Sequence, residues 1–149
     1  AEVDPKWQTQ KKGPWVYIMG PHDQFMPQRR GLLCLSPNAG VTFDLEAMRR
    51  THRNVAPARF LSVAGMVDNR LNVPTADSLA DLWIIVDGQL KLKREQLRPE
   101  HGAINVNIAI GPSDRFLTLV STDGGNGYEN DYVVFGDPVL EMITTDKHE

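Results

Sequence analysis

Apolar residues in this chain recur in short runs, each closed by Gly, Pro, Asn or Asp, and most of the runs are rich in β-branched and aromatic side chains. Strands are expected at Trp15–Met19, Gly31–Leu35, Gly40–Phe43, Ala58–Met66, Leu82–Val86, Gln89–Lys93, Ala103–Ile110, Phe116–Val120, Tyr132–Phe135 and Val139–Thr144. The alternation is strictest at Ile104, Val106, Ile108 and Ile110, which share one face, while Asn105 and Asn107 take the other. Asp87-Gly88 between two strand-like runs is a hairpin signal, because a type I′ turn needs positive φ at both central positions. Beyond that turn, Leu90 and Leu92 are expected inward and Lys91 and Lys93 outward. Only one helix is predicted, Leu45 to Arg50, with Asp44 as N-cap and two arginines at its cationic end. Loops are expected over 71–81, around Pro74, and over 94–102, around Pro99.

This succession carries no βαβ alternation and no internal repeat, so it predicts an all-β protein, a single antiparallel β-sandwich with one short helix. Residues 1–14 read as an N-terminal arm or linker, 15–144 as the sandwich domain and 145–149 as a polar tail. With 149 residues, 41% of them hydrophobic, the chain is long enough for one real core.

Charge changes the picture only by its distribution. The net charge is −3, which gives no electrostatic argument for nucleic acid. Residues 1–70 carry ten Lys/Arg against six Asp/Glu, and residues 71–149 carry six against thirteen. An acidic second half suits a cation or a neutral polar ligand better than a phosphate. The lone Cys34 excludes an internal disulfide and a cysteine-based zinc site, and within its apolar run it reads as an inert core thiol. No apolar run approaches the ~20 residues that span a bilayer, so no membrane insertion is expected. Mature secreted chains often begin at a small residue such as Ala1, and the expected location is extracytoplasmic, secreted or periplasmic.

The candidate chemistry gathers in one stretch. Between the strands at Phe116–Val120 and Tyr132–Phe135 lies a polar loop, Ser121 to Asp131, with three glycines and a concentration of Asp, Asn and Glu. It exceeds the ~2–5 residues of an ordinary hairpin loop. Two buried strands presenting such a loop make a recognition-site layout, although the same composition also serves a solvated surface loop. Elsewhere, His22 and Asp23 read as solvated polar surface. No nucleophile elbow, phosphate-cradling glycine loop or His-Glu-x-x-His motif is present. Asp123, Glu129, Asp131 and Asp137 are close enough in sequence for a glycosidase pair, but nothing in their surroundings indicates a raised pKa. The expectation is a non-catalytic domain.

Four segments, in order, resemble the NPCBM family, the novel putative carbohydrate-binding module, over roughly residues 31–142. Gly31 to Leu35 followed by Gly40-Val41-Thr42-Phe43-Asp44-Leu45 is similar to the family's Gly-x-Gly-x-His-Ala strand and Gly-Ile-x-Phe-Asp-Leu segment. Phe60 to Asp68 resembles its Phe-x-x-x-Val-Gly-x-Asp-Asp strand end, and Trp83 to Gly88 its strand and Asp-Gly turn. Asp123 through Asp137 is similar to its closing Asp-x-Gly-x-Gly-x-Asp-His-x-Asp-Trp-x-Asp pattern. The resemblance implies a galactose-binding-like jelly roll and a module that binds sugars, often galactosides, beside other domains of a larger secreted enzyme or surface protein. It implies a glycan site built from Asp68, Asn69 and Arg70 on one turn and Asn126, Tyr128 and Asn130 on the loop. Sugar hydroxyls suit the polar groups, and an apolar sugar face suits the Tyr128 ring. It also implies a structural calcium, for which Asp123, Glu129 and Asp131 offer hard oxygen ligands.

The chain departs from the family where chemistry would be expected. Leu35 stands in place of the family's His, and Tyr132, Val134 and Phe135 replace the His, Asp and Trp of the closing pattern. Those losses weaken a sugar site made from them. The alternative is a structural or protein-interaction sandwich that has lost the site, docking through an apolar patch around Trp7 and Trp15.

Overall fold

The computed structural model describes residues 18–19, 23–24, 31–67 and 77–145. The arm at 1–14, Trp7, Trp15, His22, Asp68, Asn69, Arg70 and the tail from 146 lie outside the described residues.

Two four-stranded antiparallel sheets form a sandwich. A separate ribbon pairs β1 (Ile18–Met19) with β2 (Asp23–Gln24). The strands that follow are β3 (Leu32–Leu35), β4 (Ala39–Asp44), β5 (Val55–Met66), β6 (Ala80–Val86), β7 (Gln89–Leu97), β8 (Ile104–Ala109), β9 (Phe116–Thr122) and β10 (Val133–Thr144). Helix α1 (Leu45–Thr51) and a 3-10 turn (Pro99–His101) complete the described elements. One sheet has the order β3-β10-β5-β8 and the other β4-β9-β6-β7. From β3 onward the chain changes sheet at every connection except the β6–β7 hairpin, so all other loops collect at the two ends of the sandwich.

The core follows from alternation. Ala80, Leu82, Ile84 and Val86 of β6 and Leu117 and Leu119 of β9 point inward and are buried. Facing them across the sandwich are Leu35, Phe60, Ala64, Met66, Val106, Ile108, Val133 and Phe135. Each fully buried Leu, Ile or Phe contributes about 1.5–3 kcal/mol, which makes this slab the main source of stability. A smaller cluster on the outside of the first sheet joins Val67 and Val134 to Leu32, Cys34, Val63 and Tyr132. Cys34 is therefore half-buried there, outside the main core. Burial pushes its thiol up, so it is inert at neutral pH.

The structure revises four sequence expectations. β10 is one strand, since Gly136-Asp137-Pro138 is absorbed by an irregularity between Gly136 and Val139, a position where a strand tolerates proline. β5 likewise starts at Val55 and runs through Pro57, which sits beside a second irregularity in the same pair. β7 continues through the charged residues to Leu97, which is buried opposite Ala80, because an edge strand carries charge readily. Leu90 does not point inward but is 51% exposed. Ile84 pairs with Leu92 while Ile85 pairs with Leu90, so a bulge at Lys91 reverses the phase and sends Leu90 to the outer face.

One end of the sandwich is tied shut. Asp44 caps α1 by accepting from the Ala47 amide at 2.8 Å. Arg49 reaches from the helix to donate to the carbonyls of Asp114 (2.7 Å) and Gly111 (2.9 Å). Asp87 and Gly88 adopt φ of 47° and 77°, as a type I′ turn requires. The Asp87 carboxylate accepts from the amides of Arg115 and Phe116, at distances from 2.7 to 3.1 Å. Those two amides hold its pKa below the usual carboxylate range.

Two outcomes are expected. Arg49→Met leaves two carbonyls without their charged donor and lowers the urea unfolding free energy by about 2–3 kcal/mol. Because the folded pKa of Asp87 lies below its unfolded value, its contribution is present above the unfolded value near ~4 and is lost as pH falls through the folded one. Denaturant titrations between neutral and acid pH therefore show a shallower acid decline in Asp87→Asn than in the wild type.

Candidate functional site

The opposite end of the sandwich gathers the β3–β4 turn, the approach to β6 and the loop from β9 to β10. Asp123 opens that loop and is held by hydrogen bonds on both oxygens. Its Oδ2 accepts from Asn38 Nδ2 at 3.1 Å and its Oδ1 from the Gly125 amide at 3.0 Å. Its own amide donates to Asn38 Oδ1 at 3.3 Å. The Asn38 amide and the Gly125 N–H hold the Asp123 carboxyl below its ordinary pKa. Asn38 was not foreseen as part of this end. Its only sequence signal is its place in a Ser-Pro-Asn turn, where it adopts φ 57°.

Beneath the loop lies Asp131, with no accessible surface. The Leu79 amide donates to its Oδ1 at 2.8 Å. Its Oδ2 finds no partner among the described residues, and neither do the buried hydroxyls of Ser78 and Ser121. Burial pushes the Asp131 carboxyl up against the pull of the Leu79 amide, with Asp123 and Asp77 adding to the rise. This corrects the expectation that no loop carboxyl has a raised pKa. The shift does not create an acid catalyst, because a carboxyl sealed from solvent cannot reach a substrate.

Above Asp131 the loop forms a cleft of about 260 Å³, lined by Asp77, Asn126, Gly127, Tyr128 and Glu129. Asn126 Nδ2 donates to the Asp77 carbonyl and ties the two walls together at the rim. Tyr128 stands 73% exposed, its ring unstacked by any described residue. Asn130 adopts φ 64° where the chain turns toward Asp131, and it is not among the residues that line the cleft. On the other flank, Asp81, Glu95, Gln96 and Gly124 line a polar hollow of about 370 Å³. A hollow of about 430 Å³ at Thr51–Val55 sits at the tied end, made from one continuous segment and carrying no exposed aromatic ring.

Of the residues expected in the site, Asn126 and Tyr128 come together at one cleft, with Glu129 beside them. The residues expected to bind calcium do not converge on a point. Both oxygens of Asp123 and one of Asp131 already accept hydrogen bonds, and no group of three or more His, Cys, Asp or Glu side chains among the described residues is arranged to hold a metal ion. Among the described residues the three carboxylates named from the sequence do not by themselves form a cluster that could hold a metal ion. The departures from the NPCBM pattern fall on packing positions. Leu35 and Phe135 are buried in the main core, Phe135 with its ring 6.4 Å from that of Phe60, and Val134 is fully buried in the outer cluster.

Chelator is expected to leave the unfolding temperature unchanged. A clear drop with EDTA, restored by calcium, would show a ligand set completed by residues beyond those described.

No protein-family model matches the sequence, and no curated protein does. Solved structures do match. A CBM51 module from Clostridium perfringens GH95, solved with methyl-galactose, superposes with a TM-score of 0.68 at 15% identity, covering 85% of this chain and 79% of that one. The tandem CBM51 modules of a Streptococcus pneumoniae family 98 glycoside hydrolase give a TM-score of 0.68 at 14% identity, over 90% of this chain and 38% of that one. The second CBM51 module of Clostridium perfringens ZmpB, solved with GlcNAc and an INT domain, gives 0.62 at 15% identity, over 80% and 24%. In fold this chain is similar to the CBM51 modules of these proteins.

Proposed function

We propose that this domain is a non-catalytic carbohydrate-binding module that holds a galactoside-type glycan in the cleft at Tyr128. The observation that carries the reading is the exposed Tyr128 ring at the lip of a polar cleft of about 260 Å³. An exposed aromatic face beside amide, carboxylate and backbone groups suits a sugar, which offers an apolar ring face and a rim of hydroxyls. The likeness to modules solved with methyl-galactose and GlcNAc supports the same reading, and does not choose between those two sugars. Asp68, Asn69 and Arg70 are proposed as further ligand contacts from the NPCBM resemblance. That resemblance rests on the four sequence motifs, and with it come an extracytoplasmic location and a place beside other domains of a larger protein. The similar modules in two longer chains, of which this chain spans 38% and 24%, support the multidomain setting. No helix among the described residues is long and apolar enough to cross a membrane.

A second reading, a protein-interaction module, is favoured by one observation. Leu90 (51% exposed) and Phe116 (37%) share the outer face of the β4-β9-β6-β7 sheet, near the tied end.

A glycan array, read with and without calcium, separates the two. Binding to galactose- or N-acetylglucosamine-terminated glycans is expected, with affinity falling at least about tenfold in Tyr128→Ala, the loss of one stacking contact worth about 1.4 kcal/mol. A blank array from a folded domain would sink the glycan reading and leave the interaction module.

A further inference from the structure

We infer that a buried joint formed by Asp131, Leu79 and Gly124 positions both walls of the Tyr128 cleft, and so sets glycan affinity without touching the glycan. The inference rests on the glycan reading of that cleft.

The two walls come from separate parts of the chain. One is Asp77, on the approach to β6, and the other is Asn126 to Glu129, on the β9–β10 loop. Three contacts connect them. At the base, the Leu79 amide donates to Asp131 Oδ1 at 2.8 Å in a fully buried setting. At the flank, Leu79 lies directly against Gly124. A Cβ on that glycine would stand 2.7 Å from Leu79 Cγ, 3.1 Å from its Cδ2 and 3.2 Å from its backbone carbonyl carbon. Gly124 also adopts φ +63°, so a side chain there meets both strain and overlap. At the rim, Asn126 Nδ2 donates to the Asp77 carbonyl.

Base, flank and rim close a ring. Asp77 sits two residues before Leu79, Asn126 two after Gly124, and Tyr128 three before Asp131. The loop cannot slide against the Asp77 wall without breaking one of the three contacts. A polar loop of this length held only at its ends would order on binding, and that entropic cost would weaken affinity. The joint orders it during folding instead, which is preorganisation from below. Asp131 has no accessible surface, so it cannot be a ligand contact. Its role is that of an acceptor for one particular amide, a positioning residue.

The test combines three variants with two readouts, and uses Tyr128→Ala as the contact control. Amide hydrogen exchange at Leu79, measured without any sugar, reports the joint. Titration with methyl-galactoside and with N-acetylglucosamine reports the cleft. Asp131→Ala and Gly124→Ala are expected to speed Leu79 exchange at least tenfold and to weaken sugar binding at least tenfold, while the domain still unfolds cooperatively in urea. Asp131→Asn keeps a carbonyl acceptor for the Leu79 amide and is expected to retain both protection and affinity. Tyr128→Ala loses affinity with exchange unchanged. Gly124→Ala lies in the loop itself and carries the test if Asp131→Ala fails to fold.

Unchanged Leu79 exchange in Gly124→Ala would overturn the joint, and so would full affinity in a variant whose exchange has accelerated. An Asp131→Asn variant as damaged as Asp131→Ala would overturn the acceptor role in favour of one that needs the charge. If the wild type binds neither sugar, the glycan reading fails first, and the exchange data still decide whether the joint exists.

Discussion

A polar loop laid over the end of an apolar sandwich needs a buried polar group beneath it, and in this domain that group is Asp131. The backbone arriving at β6 presents the Leu79 amide to a buried setting, and an unmade buried hydrogen bond costs about 1–3 kcal/mol. Asp131 satisfies that amide at 2.8 Å and in doing so fixes where the β9–β10 loop rests. The arrangement carries a cost of its own, since a buried carboxyl with one oxygen that has no partner among the described residues favours the protonated form. Its folded pKa lies above the unfolded value, so its own contribution to stability is greatest at acid pH and declines as pH rises through the folded pKa. Asp87 works in the opposite sense, with a contribution that is lost on acidification. Asp131 and Asp87 thus respond oppositely to pH, and Asp123, beside Asp131, responds as Asp87 does.

The topology gives the sandwich two ends with different work for their polar groups. Because the chain crosses between sheets at nearly every connection, two groups of loops are unavoidable. At one end, α1, the Asp87 turn and the Gly111–Asp114 turn are cross-linked by Arg49 and Asp87 until their polar groups are largely engaged with backbone. At the other end the hydrogen bonds of Asn38, Asp123, Asn126 and Asp131 are spent on holding the loop, and they leave Tyr128 and Glu129 at a free surface. The first arrangement stabilises; the second presents. The far likeness to CBM51 sandwiches, at 14–15% identity for the three structures compared, is a likeness of the frame, and the loops are where such frames differ in chemistry.

Much of the frame is legible in the sequence because its signals are local. Alternation at Ile104 to Ile110 and the Asp87-Gly88 turn each depend on a few adjacent residues, and both hold in the structure. What is not legible depends on partners distant in sequence. The bulge that exposes Leu90 is set by pairing with β6, and the continuity of β10 through Pro138 is set by pairing with β5. The loop itself is legible as a polar, glycine-rich stretch, and Asn126 and Tyr128 do meet at one cleft. That Asp131, named from the sequence as a metal ligand, is buried is not legible, because burial of a carboxylate leaves no mark in composition. Its partner amide at Leu79 is 52 residues away in the chain, and Asn38 is 85 from Asp123.

The most direct test of the account is to map the sugar onto the domain by following backbone amide shifts during titration with methyl-galactoside. The account predicts shifts concentrated at Gly125 to Glu129 and at Asp77, with the amides around Asp87 and Arg115 at the tied end unmoved. Shifts centred on the outer sheet face at Leu90 and Phe116, or none at saturating sugar, would contradict it.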